Sequence, residues 1–419
     1  MASLIYAFDP NWSLSLVPSL SNICLHWIVN NFEENPIFEK LSQIQKDFVQ
    51  ERLSTSLPLH VTASLVPDGV YWKRCCKERW DICDVSHYGD SWKRMFFERH
   101  LENIIEGFIP EVTEPKTVLD LVPPCRNYIK KLDISQLLLP TKEPQLKKVE
   151  EKSDWSLKID VDEPHVDHFD FSILLDKLTN LEELHLVYRV KQCGMSFEWA
   201  MFQMTDKDCK SLAYALKSCK TLKLFRLHQS HVDDEKCRLL VKYLLDHPSL
   251  RELDFSHNLI GDSAARAIGK LLTRSKLEVL NMCNNRISGP GAKAIAHALS
   301  SNSTLLVLNL RLNRVMDEGG QAIGKALLNN TTLSYLHLGG NDVTSVTAFA
   351  LSKVLTENKT LKRINLSCNK LGEVGGKALA EAMARNSTIT ECDIRMTDID
   401  EEAASTINKV VWANQSSEF

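Results

Sequence analysis

The sequence predicts an α/β chain: a right-handed solenoid of about eight strand-helix units, each 28 residues long, preceded by a small, mainly helical N-terminal domain. Three observations predict it. Apolar residues return at fixed positions in segments that begin at Leu222, Leu250, Leu277, Leu305, Leu333, Leu361 and Ile389, 27 or 28 residues apart. An asparagine follows at one fixed place in five consecutive units. The second half of each unit then changes to helical spacing.

From the N-terminus, residues 1–116 show no repeat and read as a helical domain, with helices expected over 20–32, 36–53, 70–80 and 91–108 and aromatic side chains as anchors. Residues 117–180 read as a degenerate capping repeat, with a strand at Ile129, Leu132 and Ile134, and a charged linker or loop over 141–154. The solenoid occupies 181–414. Its first unit opens with Leu181, Leu184 and Leu186, but the next start, Leu222, lies 41 residues on. The excess falls in 191–204, which holds Gly194, Phe197, Trp199 and Phe202. This insertion either contributes to binding or caps the first helix.

Within a unit, the first, fourth and sixth positions are apolar, as in Leu305, Leu308 and Leu310, which is the leucine-rich pattern of a strand with one face buried. Asn258, Asn285, Asn313, Asn341 and Asn369 then supply a short amide that bonds the backbone of the turn leaving the strand. Pairs spaced by four, such as Ile323 and Leu327 or Leu379 and Met383, mark one helix face. Parallel strands with crossover helices return right-handed. Strands stack about 4.8 Å apart and helices about 8 to 10 Å apart, so the array curves with the sheet inside. The last unit has Thr397 in place of the asparagine and Trp412 near its end, as expected of a cap.

A chain of 419 residues with 44% hydrophobic and 25% charged residues buries a large core and divides into two domains. Its formal net charge of -4 offers no basic field for nucleic acid. No stretch approaches the roughly 18 apolar residues of a membrane span, and the start MASLIYAFDPNWSL lacks the basic character of a signal peptide, so a cytoplasmic location is expected. The 12 cysteines are then expected as reduced thiols. Asn302, Asn330, Asn358 and Asn386 lie in Asn-x-Thr sequons at one repeat position, and read as asparagines that end helices rather than as glycosylation sites.

Catalytic signatures are absent from the sequence, so no enzyme, cofactor, metal or small-molecule substrate is expected. Gly319, Gly324 and Lys325 have phosphate-loop spacing, but Ala326 stands where a magnesium-holding hydroxyl belongs. There is no Gly-x-Ser-x-Gly elbow and no His-Glu-x-x-His pair. Cys75, Cys76, Cys83 and His87 lack the paired Cys-x-x-Cys knuckles of a zinc site. What remains is surface. Alternation turns the fifth strand position toward the concave face: His185, Arg226, Asp254, Asn281, Asn309, His337, Asn365 and Asp393. Arg311 and Arg395 extend that face two residues further along. With Tyr335 and Trp199 of the insertion, these residues form the candidate partner-binding set, polar and mixed in charge. The alternative is that the ladder is solvated and partners use the convex side or the edges.

The 28-residue units resemble the ribonuclease-inhibitor class of leucine-rich repeats, a likeness that implies a horseshoe. The stretches SWKRMFFERHLENIIEGFIP (91–110), YWKRCCKERW (71–80), LEELHLVYRVKQCGMSFEW (181–199) and LLDHPSLRELDFSHNLIGD (244–262) resemble the leucine-rich-repeat subunits of the axonemal nexin-dynein regulatory complex, the t-complex-associated testis-expressed family. That resemblance implies a non-enzymatic scaffold in the axoneme of cilia and flagella, a complex that links doublet microtubules and regulates dynein-driven beating. Its implied partners are other subunits of the complex and proteins associated with the doublets. Relatives are expected to be longer at both ends. Two rival readings start from other features. Residues 57–92 loosely resemble an F-box, which before such repeats implies a ubiquitin-ligase adaptor. A GTPase-activating protein of the Ran type also uses these repeats but carries a long acidic tail, where this sequence ends in WANQSSEF. Ribonuclease inhibition is disfavoured because that family alternates two repeat types.

Overall fold

The computed structural model describes residues 19–140 and 168–417, so the charged segment expected over 141–154 lies outside the described residues. The chain forms two compact units that divide between Phe97 and Glu98, within one helix.

The first unit contains α1 (Leu20–Asn30), α2 (Gln43–Arg52), α3 (Leu59–Leu65), α4 (Val70–Arg79) and the start of α5 (Trp92–Glu106). The second expected helix begins at Gln43 rather than Pro36, because turns occupy the intervening residues and the Ser42 N–H donates to Gln45 Oε1 at 2.9 Å, capping the helix there. Helix α3 was not expected. Its seven residues include Val61 and Thr62, β-branched and poor helix formers. The core gathers on Trp72, whose indole N–H donates to the Val66 carbonyl at 3.2 Å and whose ring lies 5.1 Å from those of both Phe96 and Phe97. Cys75 and Cys76 are buried in this core, whereas the Cys83 thiol donates to the Trp80 carbonyl at 3.4 Å and the His87 side chain is 83% exposed. Among the described residues no three His, Cys, Asp or Glu side chains assemble into a metal-holding group.

The second unit is an open solenoid. After α6 (Lys116–Leu119), α7 (Val122–Cys125) and β1 (Lys131–Ile134), eight strand-helix pairs follow, the first opening with β2 (Glu183–Leu186). The helices are α8 (Asp206–Ser218), which precedes β3 (Leu224–Leu227), then α9 (Asp234–Leu244), α10 (Asp262–Arg274), α11 (Gly289–Leu299), α12 (Met316–Leu327), α13 (Ser345–Glu357), α14 (Gly372–Met383) and α15 (Glu401–Ser417). Between them run β4 (Glu252–Asp254), β5 (Val279–Asn281), β6 (Val307–Asn309), β7 (Tyr335–His337), β8 (Arg363–Asn365) and β9 (Glu391–Asp393). The nine strands form one parallel sheet in chain order. Eight of them follow Leu181 as expected, and β1 is the degenerate strand placed at Leu132 and Ile134. The repeated apolar positions are buried throughout, Leu305, Leu308 and Leu310 each being 0% exposed.

The asparagine ladder joins each repeat to the one before it. Asn313 Nδ2 donates to the Met282 carbonyl of the preceding repeat (2.8 Å) and to its own Leu310 carbonyl (3.0 Å), while its Oδ1 accepts the Ile287 N–H (3.0 Å). Asn258, Asn285, Asn341 and Asn369 repeat this pattern. The sequon asparagines form a second ladder at the helix ends. Asn330 is 3% exposed; its amide donates to the Leu299 and Asn302 carbonyls (2.9 and 3.0 Å) and its oxygen accepts the Thr332 and Leu333 N–H groups (3.0 and 2.8 Å). An amide so committed has no N–H left for a glycan.

Glycines let the helices approach. Gly319, Gly320 and Gly324 lie buried in α12, where an added Cβ would meet Ala292, Thr347 and Ala350. This segment with phosphate-loop spacing is therefore a helix-packing face. The sheet's first edge is covered by α5, whose carboxylates at successive turns take the strand's N–H groups: Glu98 from Lys130 and Lys131 (2.7 and 2.9 Å), Glu102 from Asp133 (2.8 Å) and Glu106 from Ser135 (2.7 Å). At the other end, Asn414 and Gln415 of α15 donate to the Ile389 and Thr390 carbonyls (2.9 and 2.6 Å). Trp412, expected in that cap, is 71% exposed instead. Thr397 stands in for the missing asparagine: its hydroxyl donates to its own repeat's Ile394 carbonyl at 2.6 Å, and only its backbone carbonyl meets the preceding repeat, accepting the Gly372 N–H at 3.0 Å.

Candidate protein-interaction face

Parallel pairing aligns the fifth strand positions into one continuous row: Asp133, His185, Arg226, Asp254, Asn281, Asn309, His337, Asn365 and Asp393. Their neighbours at the fourth and sixth positions are buried, except the half-buried Cys392 of the last strand, so this row, with Tyr335 beside it and Arg311 and Arg395 beyond, lies on the solvent side of the sheet. His185 is the exception, being 6% exposed. Asp133, which sequence reasoning left out, extends the row by one repeat.

Most of these side chains have a second task. An oxygen or ring nitrogen at the fifth position accepts the N–H two residues on, which turns the chain out of the strand: Asp254 from Ser256 (2.9 Å), Asn281 from Cys283 (3.1 Å), Asn309 from Arg311 (3.0 Å), His337 from Gly339 (3.2 Å), Asn365 from Ser367 (3.0 Å) and Asp393 from Arg395 (3.2 Å). This explains the preference for Asn, Asp and His there independently of any partner.

Charges at both ends of the row are paired internally. Arg226 Nε donates to Asp254 Oδ2 at 3.1 Å, and the Asn281 amide donates to the same oxygen at 3.0 Å. Arg395 grips both oxygens of Asp393 at 2.8 and 2.7 Å, and the Asn365 amide adds a third bond at 2.8 Å. These bonds, the arginine's above all, hold the Asp393 carboxyl down at about 2. His185 Nδ1 stands 3.4 Å from Asp133, and that contact lowers the Asp133 carboxyl to about 2. Arg311 differs: its side chain is exposed and has no carboxylate partner among the described residues. The Arg363 guanidinium stacks 4.5 Å over the Tyr335 ring, which itself lies 6.0 Å from the His337 ring. Burial and the nearby Arg311 depress His337 to about 4, which keeps its imidazole neutral.

Trp199 is separate from the row. It is 72% exposed within a surface cluster in which the Phe197 ring stands 5.1 Å from it and 5.4 Å from Phe202. The insertion is pinned to the solenoid by backbone bonds, Val190 N–H to Met201 O and Met204 N–H to Ser230 O, both at 3.0 Å. These aromatics pack on one another at the surface.

The geometry defines a solenoid of leucine-rich repeats, and the leucine-rich-repeat family model matches residues 246–269, 275–296, 301–324, 329–352 and 357–380. The chain is similar to proteins named Dynein regulatory complex subunit 5: 49% identical over 296 residues to that of Macaca fascicularis, covering 71% of this chain and 59% of the relative, and 49% identical over 267 residues to that of Homo sapiens, covering 64% and 53%. The chain thus spans between half and three-fifths of the length of these curated relatives. Among solved structures, an internalin from Listeria monocytogenes is 17% identical with a TM-score of 0.36, covering 56% of this chain and 67% of that one.

Proposed function

We propose that this chain is a non-catalytic subunit of the dynein regulatory complex, which docks through the open sheet face of its solenoid on other subunits and on doublet-associated proteins of the ciliary axoneme. The observation that carries the reading is the 49% identity to relatives bearing that name. Two features support it. The segment with phosphate-loop spacing lies on a helix-packing face, and Cys75 and Cys76 of the cysteine cluster are buried in the N-terminal core. A row of nine aligned positions, all but His185 open to solvent, is long enough for an interface of standard size, in which a few arginine and aromatic residues dominate the energy. The helical N-terminal region, residues 1–116, helps fix the subunit in place. In this role the chain is a scaffold for regulated beating.

The test is expression of the tagged chain in ciliated cells lacking their own copy. Retention in detergent-extracted axonemes, together with subunits of the dynein regulatory complex, is the expected result. Recovery with a ubiquitin-ligase core, or acceleration of GTP hydrolysis by a nucleotide-loaded GTPase, would replace this reading.

A further inference from the structure

The centre of the solvent-side sheet face differs in chemistry from its ends. Over β5 to β8, three rows run across the face: Val279, Val307, Tyr335 and Arg363; Asn281, Asn309, His337 and Asn365; Cys283, Arg311, Gly339 and Ser367. None of these is acidic, and two are arginines. Glu278, at the entry of β5, is already paired with Arg251 at 3.5 Å. The flanking repeats carry Glu252 and Asp254 on one side, Glu391 and Asp393 on the other.

What this central patch presents is almost wholly donors. Arg311 is exposed and unmatched by any carboxylate among the described residues. Arg363 likewise has no carboxylate partner among the described residues, and its guanidinium carbon lies 4.5 Å over the Tyr335 ring, a contact that restrains the side chain before any ligand arrives. Asn309 has spent its oxygen on the Arg311 N–H (3.0 Å), leaving its NH2 to donate. His337 has spent Nδ1 as an acceptor for the Gly339 N–H (3.2 Å), so the neutral ring carries its proton on Nε2 and donates outward. Gly339 keeps the floor between them open: an added Cβ would stand 2.9 Å from His337 Cε1 and 3.0 Å from Asn365 Oδ1 and Ser367 Oγ. Forked guanidinium groups match carboxylates in pairs of parallel bonds. A long polyanion is disfavoured by the acidic walls on either side and by the net charge of -4.

We infer that the central patch of the sheet face, built on Arg311, Arg363, Asn309 and His337, is a recognition site for a short acidic protein segment that presents one or two Asp or Glu carboxylates. This rests on the sheet face being the docking surface, as proposed above. The internally paired Arg226 and Arg395 then set the limits of the site rather than its strength.

The experiment uses the full chain, with hexaglutamate as probe and hexaglutamine, inorganic phosphate and a short DNA duplex as comparators, followed by arginine side-chain NMR and by titration. Hexaglutamate should shift the Arg311 and Arg363 signals, and R311Q or R363Q should each weaken its binding about tenfold, the loss expected for one charge-assisted pair. R266Q, at an exposed position of α10 away from the sheet face, should leave it unchanged, and all variants should melt with wild type. Equal binding by R311Q and R363Q, or tighter binding of phosphate or DNA than of hexaglutamate, would overturn the inference. The same variants are then followed in ciliated cells. Axonemal retention that survives R311Q/R363Q discards the acidic-segment site and keeps the subunit reading. Selective hexaglutamate binding by a wild-type chain that never enters axonemes does the reverse.

Discussion

Replacing Asn313 with alanine tests the claim that the amide ladder, and not only the apolar core, joins one repeat to the next. Asn313 is 5% exposed and makes three close bonds: to the Met282 carbonyl (2.8 Å), to the Leu310 carbonyl (3.0 Å) and from the Ile287 N–H (3.0 Å). The two carbonyls each keep a second donor, Asn285 for Met282 and Asn341 for Leu310, so neither is orphaned. The Ile287 N–H has no such substitute in its hydrogen-bond set. Its orphaning costs about 2 kcal/mol and the two lost carbonyl bonds about 1 kcal/mol each, so N313A should lose about 4 kcal/mol. T397A is the internal control, since the Thr397 side chain makes one bond, within its own repeat (2.6 Å), and its loss should cost about 1 kcal/mol. Urea unfolding followed by circular dichroism measures both, and hydrogen exchange at Ile287 reports the orphaned amide directly. An N313A loss no larger than that of T397A, with Ile287 still protected, would refute the ladder as an inter-repeat clamp.

Further outcomes follow from the same structure. L308A, which empties a fully buried core position of β6, should cost about 2 to 5 kcal/mol in the same unfolding assay. Glu102 is raised by burial from 4.5 to about 8. Such a group contributes stability that is complete below its unfolded value and lost as pH rises through about 8, so melts from pH 5 to 9 should fall for wild type and flatten for E102Q. Burial lifts the Cys125 and Cys209 thiols to about 12, whereas Cys24 and Cys368 are exposed; timed alkylation read by mass spectrometry should label the exposed pair first.

The repeats were legible because every constraint recurs. A strand buried on one face must place apolar residues at alternating positions, and a stacked array must do so again in each repeat, so Leu253, Leu280, Leu308, Leu336 and Ile364 reinforce one another as a signal. The asparagine role was legible for the same reason. The glutamates of α5 were not, because Glu98, Glu102 and Glu106 spaced by four read as one more solvated helix face. Only the fold reveals an uncovered strand edge beside them. The pairing of Arg226 with Asp254 had a usable signal, since the two stand at the same position of adjacent repeats and parallel register sets them side by side. The double duty of the fifth-position side chains had none, because a turn acceptor and a partner-facing amide are the same residue type.

That double duty changes how a face of this kind can vary. From Asp254 to Asp393, each fifth-position residue keeps an acceptor for the N–H two residues on, which favours Asn, Asp, His and similar short side chains there; the third and seventh positions carry no such duty. On the proposed docking face, charge selectivity would then fall mainly to residues such as Arg311 and Arg363, with the fifth row as a polar floor. Substituting Arg226 illustrates the difference. Charge reversal there would set a second carboxylate against Asp254, now 3.1 Å from the guanidinium, and would disturb the turn at Ser256 along with any docking. Charge reversal at Arg311 breaks no internal ion pair; beyond the surface charge it changes the field at the neighbouring His337.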